Sequence, residues 1–399
     1  MFFLLDFSYL FYNKFGDIMK VPEKIYLIVI LVCVGIFILF RIYHILNKDH
    51  FITDTYLIDG NVPELKENIS TLRLVMVGDA LYHDGVYKDG YQNGKYSFLK
   101  QLEEIKPIIQ TYDLAYYNQE SILGGEVIGL STYPRFNSPY EVGDAFVDAG
   151  FNLVSTANNH TLDRGKEAVI NSYQYWRKQN GVLMSGSCDS FACQETIPVG
   201  EKNGIKYAFL SYTTTTNGIL IPKGEEYLVN LYSDERVLQD IAKVKDKVDI
   251  ILVSMHWGSE YHNEPVEEQV RIAHFLAEAG VDIVIGNHPH VIEPIEQIGK
   301  TLVFYSFGNF ISAQTGIDKL VGLMATVTIT KTEKGNDKTI EIGNLETNLT
   351  YTSYNRNFRD FKVYLFDKID ASVLKQKEEI LLRKKKIVES YGVPMVWHT

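Results

Sequence analysis

The chain has 399 residues, 46% of them hydrophobic, and a formal net charge of −11. That is enough apolar material for one large domain or two smaller ones. The acidic balance, with no basic footprint over the whole chain, argues against a nucleic-acid-binding role. The one short basic run, residues 383–386, reads as the solvated face of a helix, with membrane or cell-wall contact as the alternative.

Residues 25–40, IYLIVILVCVGIFILF, carry no charge. With RIYHIL behind them they reach the length needed to cross a bilayer. No small-residue cleavage site follows, so the segment reads as an uncleaved anchor over 25–46 rather than a signal peptide. Lys14, Lys20 and Lys24 precede it, and this bias places 1–24 in the cytoplasm and the rest outside, in a single-pass arrangement at the cell membrane. Translation starting at Met19 instead of Met1 is also compatible with the pattern. Residues 47–70 are polar and read as a linker.

From residue 71 a rhythm of apolar run, polar turn and helical pattern begins, which predicts an α/β domain over 71–368 with largely parallel strands as far as about residue 310. LRLVMV (72–77) ends at Gly78-Asp79, and LAYY (114–117) ends at Asn118-Gln119-Glu120. FNLVST (151–156) ends at Ala157-Asn158-Asn159-His160. VDIILVSM (248–255) ends at His256-Trp257-Gly258, and VDIVI (281–285) ends at Gly286-Asn287-His288-Pro289-His290. Helical spacing predicts helices near 96–106, 140–149, 163–179, 234–246 and 265–279. Cys188 and Cys193 lie close together; a small disulfide loop and two reduced thiols are both open, and no histidine at ligand spacing suggests zinc there. After 320 the alternating Val, Ile and Thr predict antiparallel strands, and 369–399 a closing helix and tail.

The strand ends carry the chemistry. Four of the seven histidines between 70 and 398 (His160, His256, His288 and His290) stand just after predicted core strands. Ligands of open α/β sheets gather beyond the carboxyl ends of strands. Such a crevice would hold Asp79, Glu120, Asn118, Asn159 and these imidazoles, a nitrogen and oxygen donor set that suits zinc, manganese, iron(II) or nickel. Glu120 is placed to bridge two ions, as in two-metal hydrolysis of phosphoesters. Ordinary roles also stand open: Asp79 as a cap, Asn118 as a turn former. His83 and His262 read as bystanders or supporting groups, and His274, within a helix, as structural.

VMVGDALYHDGVY, NQESILGG, ANNHTLDRG, SMHWGSEY, GNHPHVIEPIE and YSFGNFI, in that order over about 72–315, resemble the bacterial capsule-synthesis CapA family. That family is associated with poly-γ-glutamate production and is related to calcineurin-like metallophosphoesterases. The resemblance implies a metallophosphoesterase-like β-sandwich flanked by helices, with a site for one or two divalent ions (Mn, Zn or Fe) at the strand ends. By that likeness Asp79, Glu120, Asn159, His256, His288 and His290 hold metal. His160 and Asn159 act in catalysis, His160 as general acid, and Asn118, Trp257, Glu260 and Asn309 meet the substrate. One departure stands out: metallophosphoesterases begin with Asp-x-His, whereas this chain has Asp79-Ala80-Leu81, with His83 two residues away as a substitute ligand.

Two functions follow from the resemblance. One is a membrane-anchored extracellular metal-dependent hydrolase or transferase, acting on a phosphoester or amide-type bond. The other is a non-catalytic, polymer-binding subunit of a capsule synthesis or export complex. The expected partners are the membrane, subunits of a capsule or poly-γ-glutamate synthase, and an anionic polymer.

Overall fold

Leu74–Val77 is free of charge because both faces of this part of its strand are covered, whereas Arg73, one residue earlier, is exposed. Leu72, Leu74 and Met76 point into one core while Val75 and Val77 point into another, the two-residue period of a strand. The computed structural model describes residues 67–370 and 372–398, besides the isolated positions 35 and 39. The expected cytoplasmic segment 1–24, the anchor 25–46 apart from positions 35 and 39, and nearly all of the linker lie outside the described residues. Among the described residues no helix is long and apolar enough to cross a membrane.

In chain order the strands are β1 (Glu67–Leu81), a small hairpin of β2 (Tyr91–Gln92) and β3 (Lys95–Tyr96), β4 (Leu114–Gln119), β5 (Leu153–Ser155) and β6 (Leu183–Ser185). There follow β7 (Val199–Lys202), β8 (Ile205–Thr213), β9 (Ile250–His256), β10 (Ile283–Asn287), β11 (Ile295–Ile298), β12 (Thr301–Phe304) and β13 (Asn309–Ser312). The last are β14 (Val321–Lys334), β15 (Asp337–Ser353), β16 (Lys362–Leu365) and β17 (Val396–Trp397).

They make two large sheets. One runs β16-β15-β14-β1-β4-β5-β6, with β13 beside the end of β1 and β17 beside β15; the other runs β11-β12-β10-β9-β8-β7. Strands β1, β4, β5 and β6 are parallel, as are β8, β9, β10 and β12. β14 and β15 are antiparallel, as the change of pattern after 320 predicts.

Between the sheets lies the central core, where Leu74, Met76 and Tyr116 meet Phe209, Leu252 and Ile285. The outer face of the first sheet is covered by Glu141–Ala149 and Gly165–Trp176 through Phe146 and Trp176. Asp234–Val244 and Glu267–Glu278 cover the outer face of the second through Val237, Ile241, Ile272 and Leu276. Each such side chain contributes roughly 1.5–3 kcal/mol on burial, so the α-β-β-α sandwich follows from apolar faces that need cover on both sides. Asp234–Val244 shows the local logic: the Ser233 hydroxyl accepts the Arg236 N–H at 3.2 Å, and Asp234 and Glu235 occupy the first turn.

Several expectations change. The helix expected over 96–106 is two short turns, Leu99–Leu102 and Lys106–Ile109, since Pro107 lacks the N–H that a continuous helix needs. β1 begins at Glu67, inside the expected linker, because its polar first half pairs with the far end of β14. β6 and β8 escape the sequence rhythm, although Phe209 and Leu210 of β8 are buried on opposite faces. The closing segment is no separate tail: the helix Lys377–Val388 sends Ile380, Leu381 and Val388 into the central core, and β17 pairs with β15. Cys188 and Cys193 form a disulfide across a separation of five residues.

Candidate metal centre

The five predicted strand ends belong to both sheets, three on β1, β4 and β5 and two on β9 and β10, and they meet where the sheets face each other. Two glycines permit the meeting. A Cβ on Gly78 would lie 1.8 Å from the Gly308 carbonyl, and one on Gly286 would lie 2.0 Å from that of Tyr305. The segment between β12 and β13 therefore crosses both ends: Asp79 N–H donates to the Gly308 carbonyl at 3.0 Å and Phe307 N–H to that of Gly286 at 3.3 Å. This SFGNF segment forms the floor of the site.

GNHPH bends sharply onto that floor. His288 and His290 adopt φ values of 101° and 59°, a region that L side chains avoid at a cost of about 1–3 kcal/mol each. The turn is held by the His288 N–H, which donates to Asp79 Oδ2 at 3.3 Å, and by the Tyr261 N–H, which donates to the Pro289 carbonyl at 2.8 Å. Strain retained in this way belongs to a turn whose side chains must point one way.

Two donor clusters result, Glu120 with His256 and His288, and Asp79 with Glu120 and His290; in each the donor atoms lie within 4.8 Å of one another. Glu120 belongs to both, with Oε1 3.7 Å from His256 Nε2 and 3.7 Å from His290 Nε2. His256 Nε2 also lies 3.0 Å from Asn159 Oδ1 and 3.1 Å from His288 Nδ1. Asn118 Nδ2 donates to Asp79 Oδ1 at 2.8 Å, while Asn309 Oδ1 stands 3.0 Å from His290 Nδ1.

Both oxygens of Glu120, and Oδ1 of Asn118, are buried without a hydrogen-bond partner among the described residues. A buried carboxylate with no hydrogen-bond partner is costly even with His290 Nε2 3.7 Å away, and a divalent cation held by the two clusters would supply what it lacks. The donor set fits such an ion. Its electrostatics agree: burial, with His288 and His290 adding to it, holds His256 well below the usual imidazole range, and burial with His290 lowers His288 to about 4. Both stay neutral, the ligating form. Burial pushes Glu120 up against the pull of His290; on His290 burial works the other way, but Glu120 and Asp79 outweigh it and hold that ring up to about 9.

Beside the clusters a cleft of about 310 Å³ opens, lined among others by Leu81, His83, Phe136, His160, Glu260 and His290. His160 Nδ1 lies 2.7 Å from Asp163 Oδ2, which also accepts the Phe136 N–H at 2.6 Å. The Phe136 ring meets His160 edge-on at 4.7 Å. With Nδ1 held by the carboxylate, Nε2 is the nitrogen left for the cleft.

Asp79, Glu120, Asn118, Asn159, His256, His288, His290 and Asn309 thus come together, and His160 and Glu260 flank them. Other expectations fail. Trp257 does not meet the cleft: it is fully buried in the outer core of the second sheet, its indole donating to the Tyr305 carbonyl at 3.0 Å. The reason is the strand period, which turns His256 and Trp257 to opposite faces. Asn287 turns inward too, donating to the Tyr116 hydroxyl at 2.7 Å between the sheets. His83 lines the cleft with Nδ1 3.2 Å from the Leu81 carbonyl but joins neither donor cluster, so it does not replace the missing histidine. His262 and His274 are exposed. Asp163 was missed, although it stands three residues after His160 within ANNHTLDRG. Tyr261 and Lys319, also on the cleft wall, carried no local signal.

Comparison with known proteins bears on this centre. The family described as bacterial capsule synthesis protein PGA_cap matches residues 73–314. Among curated relatives, the PGA biosynthesis protein CapA of Bacillus subtilis is 33% identical over 167 residues, 42% of this chain and 44% of that protein. The capsule biosynthesis protein CapA of Bacillus anthracis is 31% identical over 179 residues, 44% of this chain and 43% of that protein. The matches thus span less than half of those relatives. Among solved structures, a putative 5′-nucleotidase from Staphylococcus aureus shares 14% identity at a TM-score of 0.42, covering 78% of this chain and 58% of that one. The calcineurin-like phosphoesterase YfkN from Bacillus subtilis shares 12% at a TM-score of 0.39, covering 79% and 99%.

Proposed function

The chain belongs to the bacterial capsule synthesis protein PGA_cap family, and from that premise we propose that it is a membrane-anchored, extracellular, metal-dependent hydrolase, metallophosphoesterase-like in its site, serving capsule or poly-γ-glutamate synthesis or anchoring. The observation that carries the reading is Glu120, whose two buried oxygens lack a hydrogen-bond partner among the described residues and which is shared by two donor clusters, one with His256 and His288 and one with Asp79 and His290. The apolar run at 25–40 supports the anchor. The Cys188–Cys193 disulfide supports a location outside the reducing cytosol.

Asp79, Glu120, Asn159, His256, His288 and His290 would hold one or two divalent ions, with Mn, Zn and Fe all suited to this donor set. When bound, the ion supplies Lewis acidity and a water of lowered pKa. The protein does the rest. Asp163 fixes the proton of His160 on Nδ1, so a second proton on Nε2 is available to a leaving group in the cleft. Phe136 and Leu81 keep that edge of the cleft apolar, and Asn309 orients His290. The γ-glutamyl amide of a capsule polymer and phosphoesters are the bonds to assay, and the subunits of a poly-γ-glutamate synthase are the partners to look for.

A second reading, a non-catalytic polymer-binding subunit, is favoured by one observation: Leu81 stands where related phosphoesterases carry a ligand histidine. Metal content and turnover of the full-length chain separate the two. The expected result is about one or two equivalents of a transition metal, as a two-cluster donor set allows, with both metal and hydrolysis of a phosphoester or γ-glutamyl substrate lost in Glu120→Gln. Bound metal without turnover on either substrate class favours the second reading; metal and activity retained in Glu120→Gln refute the site.

A further inference from the structure

We propose that Lys319 determines the specificity of the cleft: its ammonium receives an acidic group that the substrate carries beside the reacting bond. This rests on the assignment of the cleft as the reaction site. Among the residues lining the cleft, Lys319 is the lone lysine or arginine and Glu260 the lone carboxylate. An anion entering there is drawn to Lys319 and repelled by Glu260, so the two give the cleft a polarity along which an asymmetric substrate aligns.

Lys319 is held in place and held unpaired. Its ammonium lies over the Tyr261 ring, 4.6 Å from the centroid. Tyr261 in turn accepts a hydrogen bond from Gln314 Nε2 at 3.2 Å. The Lys319 carbonyl accepts from Asn309 Nδ2 at 3.0 Å, and Asn309 Oδ1 stands 3.0 Å from His290. A short chain of bonds therefore links the backbone of Lys319 to one of the donor clusters, which fixes its distance from the reacting atoms.

The neighbouring acid is already engaged. Asp318 Oδ1 pairs with Arg383 and with the buried Lys384, each at 2.8 Å. Among the described residues Lys319 forms no ion pair, although it is half-buried. A half-buried ammonium on an aromatic ring, aimed at a cleft and lacking a carboxylate, suits an incoming anion better than it suits the fold. Under the proposed function that anion is the free α-carboxylate flanking a γ-glutamyl amide. A phosphate group offers the same charge.

The experiment uses the metal-loaded full-length chain and its Lys319→Met and Lys319→Arg variants. Binding is measured for three probes: a γ-linked glutamate oligomer, the same oligomer with its α-carboxylates methyl-esterified, and inorganic phosphate. The wild type is expected to bind the free acid at least tenfold more tightly than the ester. Lys319→Met should lose that preference with metal content unchanged, and Lys319→Arg should restore most of it. Phosphate binding that depends on Lys319, without oligomer binding, supports the anion site and assigns it to phosphate. Free-acid binding by Lys319→Met within twofold of wild type, or no binding of any probe by the wild type, overturns the proposal. Charge-dependent binding without turnover would leave Lys319 in its role while the hydrolase reading falls; turnover lost in Glu120→Gln but with a KM indifferent to Lys319→Met would do the reverse.

Discussion

Replacing Glu293 by glutamine should change how the stability of this protein depends on pH. Glu293 is fully buried, three residues beyond His290 in the segment that carries both histidines. Gln269 Nε2 donates to its Oε2 at 2.7 Å, and Oε1 has no partner among the described residues. Burial pushes the carboxyl up to about 8, against the opposing pull of the Gln269 bond, from an ordinary value of 4.5. Between those values the folded chain keeps a proton that the unfolded chain has released. Stability is therefore complete below about 4.5 and is lost as pH rises toward 8. At 1.36 kcal/mol per unit, the loss between pH 5 and pH 8 comes to about 4 kcal/mol at most. Glu293→Gln keeps the partner of Gln269 and removes the titration. Urea unfolding of both proteins at the two pH values measures the difference. His83 and His288, each lowered to about 4 chiefly by burial, tilt the wild type the other way below pH 6.5, but they are common to both proteins and cancel. The variant should gain on the wild type by roughly 3–4 kcal/mol from pH 5 to pH 8. A difference that stays flat refutes the argument that this carboxyl is held protonated by burial.

Asp163→Asn leaves the metal ligands untouched but removes the carboxylate that holds His160 Nδ1 at 2.7 Å; kcat should fall by about 10–100-fold with metal content unchanged, and an unaltered kcat measured alongside metal analysis would remove His160 from the proton path. Cys188→Ser opens the short loop closed by the disulfide, which should cost about 2 kcal/mol of unfolding free energy on the chain-entropy account. Reductant should then lower the wild type to the level of the variant and leave the variant unaffected; a reductant-insensitive wild type would contradict the bond.

Local sequence marks which strands bear the chemistry. A strand covered on both faces has no use for charge, so VMVG, LAYY and Ile283–Ile285 run apolar until they leave the core, and polar residues soon afterwards make the site: Asp79, Asn118 and Glu120, Asn159 and His160, and His288 and His290. Tertiary structure decided what those residues do together. The strand ends are shared between two sheets, and only their facing makes Glu120 common to both donor clusters. Which way a side chain turns depends on the partner layer: His256 faces the site and Trp257 the outer core, and Asn287 bonds Tyr116 across the sheets although it sits in the same motif as His288. Lys319 shows the limit most plainly. Nothing local marks it, because it reaches the cleft through a hydrogen bond from Asn309 and through the helix Lys377–Val388, whose Lys384 and Arg383 engage Asp318 and leave the ammonium of the next residue free for the cleft.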